Sequence, residues 1–194
     1  MLPLTWALLA KNEAGVRALL RAGADPNRRT GPGLPSPISL VAGSPEVRWL
    51  ALLLAHGGNP NALTKDDEPL IFQAIGQKRL EPVALLVEHG ADVNARGVGD
   101  ATPVFRAANL NQFGMVRYLL QRGADWRVEV GGPGGQTLPM AVQNAQIAPE
   151  FADAQAALAW TRDYLVQHGV RFPVEEPWQR REREARAGVA GPAS

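Results

Sequence analysis

The chain contains no cysteine, so disulfides, thiolate metal sites and a cysteine nucleophile are excluded, and cysteine usage says nothing of redox compartment. Long apolar runs are missing too: none approaches the roughly 18–20 residues needed to cross a bilayer, and no membrane partner is expected. Neither charge is in surplus. Twenty basic residues, nearly all arginine, stand against nineteen acidic ones for a formal net charge of +1, whereas a dedicated nucleic-acid binder usually gathers a basic surplus on one face. Serines are few (Ser36, Ser39, Ser44 and Ser194), and none sits in a nucleophile-elbow sequence. Residues Met1 to Ala10 are mostly apolar, but no basic residue precedes them as a signal peptide would require, so a cytoplasmic location is expected. Apolar residues are plentiful, at 45% of 194, enough to bury a substantial core.

Self-similarity is the strongest signal. Gly23-Ala24-Asp25-Pro26-Asn27 returns as Gly57-Gly58-Asn59-Pro60-Asn61, as Gly90-Ala91-Asp92-Val93-Asn94 and, altered, as Gly123-Ala124-Asp125-Trp126-Arg127. The leading glycines are 57−23 = 34, 90−57 = 33 and 123−90 = 33 residues apart. Each phrase follows an apolar helix ending: Leu19-Leu20, Leu53-Leu54, Leu86-Val87 and Leu119-Leu120. Glycine ends a helix in the left-handed conformation without a Cβ penalty, and the Asp and Asn that follow favour turns by bonding the local backbone.

A second phrase stands 21 residues before each glycine: Leu2-Pro3-Leu4-Thr5-Trp6-Ala7, Ser36-Pro37-Ile38-Ser39-Leu40-Val41-Ala42, Pro69-Leu70-Ile71-Phe72-Gln73-Ala74 and Thr102-Pro103-Val104-Phe105-Arg106-Ala107. Proline suits the first turn of a helix, Ser36 reads as a helix N-cap, and the alanines let helices approach closely.

These residues resemble the ankyrin repeat, with its 33-residue period and T-P-L-H-x-A phrase, over roughly residues 2 to 173. Thr5, Ser39, Phe72 and Phe105 replace the phrase's histidine, and Pro69 stands where threonine would sit. The resemblance implies an all-α solenoid of stacked helix-turn-helix units joined by β-turn or hairpin loops. Five repeats are expected, at about 1–33, 34–66, 67–99, 100–134 and 135–173, then a capping helix at 174–187 and a disordered tail at 188–194. The fifth is altered: Thr137-Leu138-Pro139-Met140-Ala141 displaces its proline, and Gly169 comes 46 residues after Gly123. About thirteen residues are therefore inserted, and Ala148 to His168 reads as one helix of about 30 Å begun near Pro149. Trp178 is expected to pack on the last repeat as part of the cap stacked repeats need.

Little in the sequence points to catalysis or cofactors, and none of either is expected. His56, His89 and His168 each precede a repeat-closing glycine. Equivalent side chains on stacked helices stand about 8–10 Å apart, too far to share a zinc, so a role at the helix C-terminus is expected. Gly131-Gly132-Pro133-Gly134-Gly135 lacks the lysine and hydroxyl residue of a P-loop and reads as a hairpin tip. A hydrolase using Asp66-Asp67-Glu68 would need a second carboxylate poised across a cleft.

The family resemblance implies instead a non-enzymatic module, adaptor or inhibitor, that grips another protein with a concave face and loop tips. Carried over residue by residue, that surface comprises Lys65, Asp66, Asp67 and Glu68 at one tip, and Arg96 and Asp100 at the next. Trp126, Arg127 and Glu129 follow at the third, with Gln77, Asn109 and Leu110 at exposed ends of inner helices. Leu110 and Trp126 are the anchor candidates, and the loops 28–36 and 127–135 the candidates for specificity. One concrete version is a bacterial immunity protein that plugs a toxin. The free chain is expected to be monomeric.

Overall fold

A computed structural model describes residues 2–29, 31, 33–132 and 135–189. Among these the regular structure is helical, as expected, and the chain divides into two compact units, Met1–Gly97 and Val98–Ser194. The first holds α1 (Pro3–Leu9), α2 (Glu13–Arg21), α3 (Pro37–Ala42), α4 (Val47–Ala55), α5 (Leu70–Gly76) and α6 (Leu80–Glu88). The second holds a 3-10 turn (Val98–Asp100), α7 (Pro103–Asn109), α8 (Phe113–Gln121), α9 (Leu138–Gln143), α10 (Ala152–Gln167) and α11 (Pro177–Val189).

The opening phrases start helices for the reasons read from them. Proline occupies the first turn of α1, α3, α7 and α9. Ser36 Oγ accepts from Ser39 N–H at 3.3 Å, and Thr102 Oγ1 from Phe105 N–H at 3.4 Å. Six- and seven-residue helices are too short to persist alone; packing holds them. In the first unit α3 packs between α1 and α5, and α4 against α6. Ile38, Leu53, Leu70, Ile75, Val83 and Leu86 are fully buried there. Leu4 and Leu8 of α1 belong to the same core. In the second unit α7 packs on α8 and α9, and α8 on α10, around Val104, Phe113, Val116, Leu119, Leu138 and Leu165.

The closing phrases combine a local and a long-range device. Gly23, Gly57, Gly90, Gly123 and Gly169 all have φ between 84° and 93°. In each, the next residue's N–H bonds back to the leucine carbonyl five residues earlier, as Ala24 does to Leu19 and Ala124 to Leu119, both at 3.0 Å. Asp25 Oδ1 accepts from Asn27 N–H within its own turn, at 2.8 Å. The asparagine reaches further. Asn27 Nδ2 donates to Gly57 O at 2.9 Å while its Oδ1 accepts from Asn59 N–H at 2.7 Å. Asn61 makes the same pair with Gly90 O and Asp92 N–H, at 2.9 and 2.7 Å. One carboxamide thus staples each turn of the first unit to the next. Asn61→Ala should lower stability by about 1–2 kcal/mol, since two hydrogen bonds of ordinary worth are lost together; urea unfolding with amide exchange at Asp92 checks it.

Glu46 is a second tie within this unit. Lys11 Nζ, Arg48 Nη2 and Trp49 Nε1 converge on its carboxylate at 2.5, 2.8 and 3.0 Å. Bonds from Lys11 and then Arg48 hold its pKa down to about 2 from an ordinary 4.5. A depressed carboxylate stabilises the fold above its unfolded pKa, and that contribution fades as the group protonates. Acid titration of unfolding should therefore show wild type losing stability faster than Glu46→Gln between pH 4.5 and about 2. Above that window the gap between the two should be constant.

Two expectations are corrected. The long helix of the fifth repeat begins at Ala152, not near Pro149, and its 16 residues span about 24 Å. Pro149 serves as the second residue of a turn closed by Phe151 N–H to Ala148 O at 3.1 Å, a position its fixed φ suits as well as a helix start. Gln155 Nε2 bonds Ile147 O at 3.2 Å and holds that turn against the helix. Trp178 does not pack as a cap: it is 58% exposed. The helix carrying it reaches Val189, two residues beyond the expected boundary. Residues 190–194 of the expected tail, and Pro133 and Gly134 of the hairpin tip, lie outside the described residues.

Candidate partner-binding surface

In the first unit the segment between α4 and α5 folds back as a hairpin. Thr64 N–H bonds Glu68 O at 2.8 Å, Leu63 bridges Pro69, and Asp67 turns the tip with φ 57°. Thr64 Oγ1 braces the tip from inside, accepting from the N–H groups of Asp66 and Glu68. Arg29, from the loop before α3, fixes the hairpin from outside through the carbonyls of Leu63 and Thr64 and through Asp67 at 3.5 Å. Between hairpin and inner helices lies a cleft of about 310 Å³, lined by Pro35, Ser39, Leu40, Thr64, Lys65, Asp66, Glu68 and Gln73.

This places the expected residues unevenly. Lys65, Asp66 and Glu68 line the cleft, with Lys65 Nζ 2.8 Å from Asp66. Asp67 turns back to Arg29, Gln77 sits half-buried at the C-cap of α5, and Arg96 is exposed further along the chain. Asp66 and Asp67 are thus paired with cations on an exposed turn.

Sequence reasoning missed Leu40 and Gln73, although the register holds their signal. Trp6, Leu40 and Gln73 occupy one position of the opening phrase, 40−6 = 34 and 73−40 = 33 residues apart, and their types vary while the residue after each stays apolar. Trp6 is 62% exposed. Gln73 packs its amide nitrogen against Gly43, where an added Cβ would come within 2.6 Å, and its Oε1 is buried with no hydrogen-bond partner among the described residues.

In the second unit a cleft of about 350 Å³ is lined by Phe105, Ala108, Asn109, Asn111, Gln136, Met140, Ala141, Asn144, Ala145, Gln146 and Glu176. Of the expected residues only Asn109 belongs to it. Leu110, the C-cap of α7, is 37% exposed, and Asp100 ends the 3-10 turn with φ 59°. Trp126 is half-buried beneath Arg127, whose guanidinium lies 4.6 Å from the ring centroid. Val130 and Gln136, which flank the glycine-rich segment, pair through both backbone bonds, at 2.8 and 3.0 Å.

The histidines cap helices. His56, His89 and His168 end α4, α6 and α10, with His89 Nδ1 2.9 Å from Leu85 O and His168 Nδ1 2.7 Å from Tyr164 O. The His89 and His168 rings thereby add a second hydrogen bond to carbonyls that already accept the same residues' backbone N–H groups. No helix among the described residues is long and apolar enough to cross a membrane.

Short helix pairs closed by left-handed glycines, repeated at a fixed period with hairpins reaching over the inner helices, define a helical repeat protein. A family model for ankyrin repeats, in three copies, matches residues 40–129, and the chain is an ankyrin-repeat protein over that stretch. Such repeats mediate protein–protein interaction and are as a rule non-enzymatic. No curated protein matches this chain.

Proposed function

We propose that the chain is a non-enzymatic binding module, an adaptor or inhibitor, that holds a partner protein against its inner helices and hairpin tips. The observation carrying this is the first-unit cleft: a braced hairpin over Leu40 and Gln73, at a repeat position whose residue type varies, with Gln73 Oε1 left unpaired. A buried acceptor without a donor is costly, and turning the Gln73 amide into the cleft towards a partner's N–H would relieve it. In this reading Lys65, Asp66, Glu68, Leu40 and Gln73 contact the partner, with Trp6 as a flanking anchor. Asp67, Gln77 and Arg96 in the first unit, and Asp100, Asn109, Leu110, Trp126 and Arg127 in the second, are further contacts in this reading.

We divide the chain into about five such repeats, since α1–α2 and α9–α10 have the same paired form as the three matched copies. Monomeric behaviour and a cytoplasmic location accompany the proposal. A toxin-plugging immunity protein is one kind of inhibitor within it, and no residue described above singles out a toxin.

The test is an affinity capture from the native cell extract. A protein retained by wild type should be lost at least tenfold from Leu40→Asp/Asp66→Ala/Gln73→Ala and kept by Arg17→Ala/Arg117→Ala, which alters exposed outer-helix residues. Equal capture by all three would place the contact elsewhere. A salt titration of the captured complex separates a nucleic-acid bridge, whose affinity would fall steeply with salt.

A further inference from the structure

At the end of α9, in the second unit, Gln143 and Asn144 bind another stretch of backbone. Gln143 Oε1 accepts from Val174 N–H at 2.7 Å, and its Nε2 donates to Val174 O at 3.3 Å. The N–H and C=O of an extended residue point to the same side, so one planar carboxamide meets both, as the edge of a neighbouring strand would. Asn144 Nδ2 then donates to Glu176 Oε1 at 2.8 Å, with Gln143 Nε2 3.5 Å from the same oxygen. The pair thus reads an extended backbone at one residue and a carboxylate two residues on. The side chain of Val174 takes no part in these bonds.

Glu176 is also the residue before α11, and helix N-caps ordinarily turn a side-chain oxygen onto their own helix. Here Gln179 Oε1 takes over that end by accepting from Glu176 N–H at 2.8 Å, which leaves the Glu176 carboxylate to face Asn144. The rest of the segment is weakly held. α11 has no extensive packing against another helix among the described residues, and Trp178 is 58% exposed. Arg180 pairs with Glu129 at 3.3 Å between side chains 32% and 38% exposed, a kind of ion pair that contributes little. Lifting the segment would open no apolar core, the mark of a part that detaches at low free energy. It would uncover Gln143 and Asn144 beside the cleft floored by Phe105 and Met140.

We propose that Gln143 and Asn144 form a backbone clamp for an extended acidic peptide. In the free chain it is filled by the chain's own Val174–Glu176, and in the complex by a segment of the partner with a carboxylate two residues after the clamped one. This rests on the protein-binding reading above. The chain carries its own competitor, and a partner's apparent affinity is lowered by the fraction of time the clamp is occupied from within.

The test uses the full chain and a fluorescent peptide of the sequence Phe172 to Gln179 added in trans. Glu176→Ala/Arg180→Ala loosens the internal segment and leaves the clamp intact. This variant should bind the peptide at least tenfold more tightly than wild type. Adding Gln143→Ala should remove that gain, and so should N-methylating the peptide at the valine, which leaves the protein untouched. Unchanged amide exchange in α7 and α8 confirms that the variants are folded. Equal binding by wild type and the loosened variant, or binding indifferent to both Gln143→Ala and N-methylation, overturns the clamp. A partner captured from extract by a chain that ignores the peptide would leave the binding module standing without its clamp. Peptide binding with no captured partner would do the reverse.

Discussion

Leu119→Ala is expected to lower the free energy of unfolding by about 2–5 kcal/mol, the range for emptying a fully buried leucine site. Leu119 is completely buried on α8, a helix packed against both α7 and α10, beside the buried Val116, Met115 and Leu120. Its backbone is engaged as well, since Leu119 O accepts from Ala124 N–H at 3.0 Å to close the helix. That bond restrains the backbone from collapsing into the space the side chain leaves, which favours the upper part of the range. Arg117→Ala on the exposed face of the same helix should change stability by less than about 0.5 kcal/mol. Urea unfolding followed by amide exchange in α7, α8 and α10 measures both. A loss below about 1 kcal/mol at Leu119 would mean that α8 is rotated away from the core described above.

The second large effect runs against what the repeats suggest. Position 58 is glycine in Gly57-Gly58-Asn59, where the other copies have Ala24, Ala91 and Ala124. By consensus, Gly58→Ala should stabilise the chain, because alanine restricts the unfolded state. Its surroundings oppose this. A Cβ at Gly58 would stand 2.5 Å from Ile38 Cδ1 and 2.8 Å from the backbone oxygen of Leu53. Ile38 is fully buried and cannot swing aside, and Leu53 O already accepts from Gly58 N–H at 2.8 Å. Gly58→Ala is therefore expected to destabilise by about 1–3 kcal/mol, as overpacking does. The companion Ile38→Val/Gly58→Ala, which removes the methyl in the way, should recover part of the loss. A gain of stability in the single variant would show that the turn relaxes freely and that consensus governs the site.

The same contrast separates what was legible in the chain from what was not. Local chemistry repeated at a fixed period carried the helix pairs, the left-handed glycines and the family, because each feature is set within a few residues of itself. Ser36 caps α3 and Gly90 closes α6 as their residue types require. Where one residue type has two local uses, the reading slipped. Pro149 is at home both in a helix's first turn and in the second position of a β-turn, and only the bond from Phe151 to Ala148 decided between them. Trp178 fits both a cap and an exposed strap, and its sequence neighbours do not differ between the two.

The candidate surface shows the limit most plainly. Register points to loop-tip residues, but the cleft is lined equally by Leu40 and Gln73, half-buried residues that stand on helices amid the core. Gln143 and Asn144 were not suspected at all, since their partner lies some 30 residues on. By itself the sequence determined which segments are helices, where they end and which face of each is apolar, since propensity, capping and periodicity act over short distances. Only the tertiary structure decided which polar side chains meet. That depends on packing between elements far apart in the chain, as with Asn61 on the turn at Gly90 or Gln143 on the backbone of Val174.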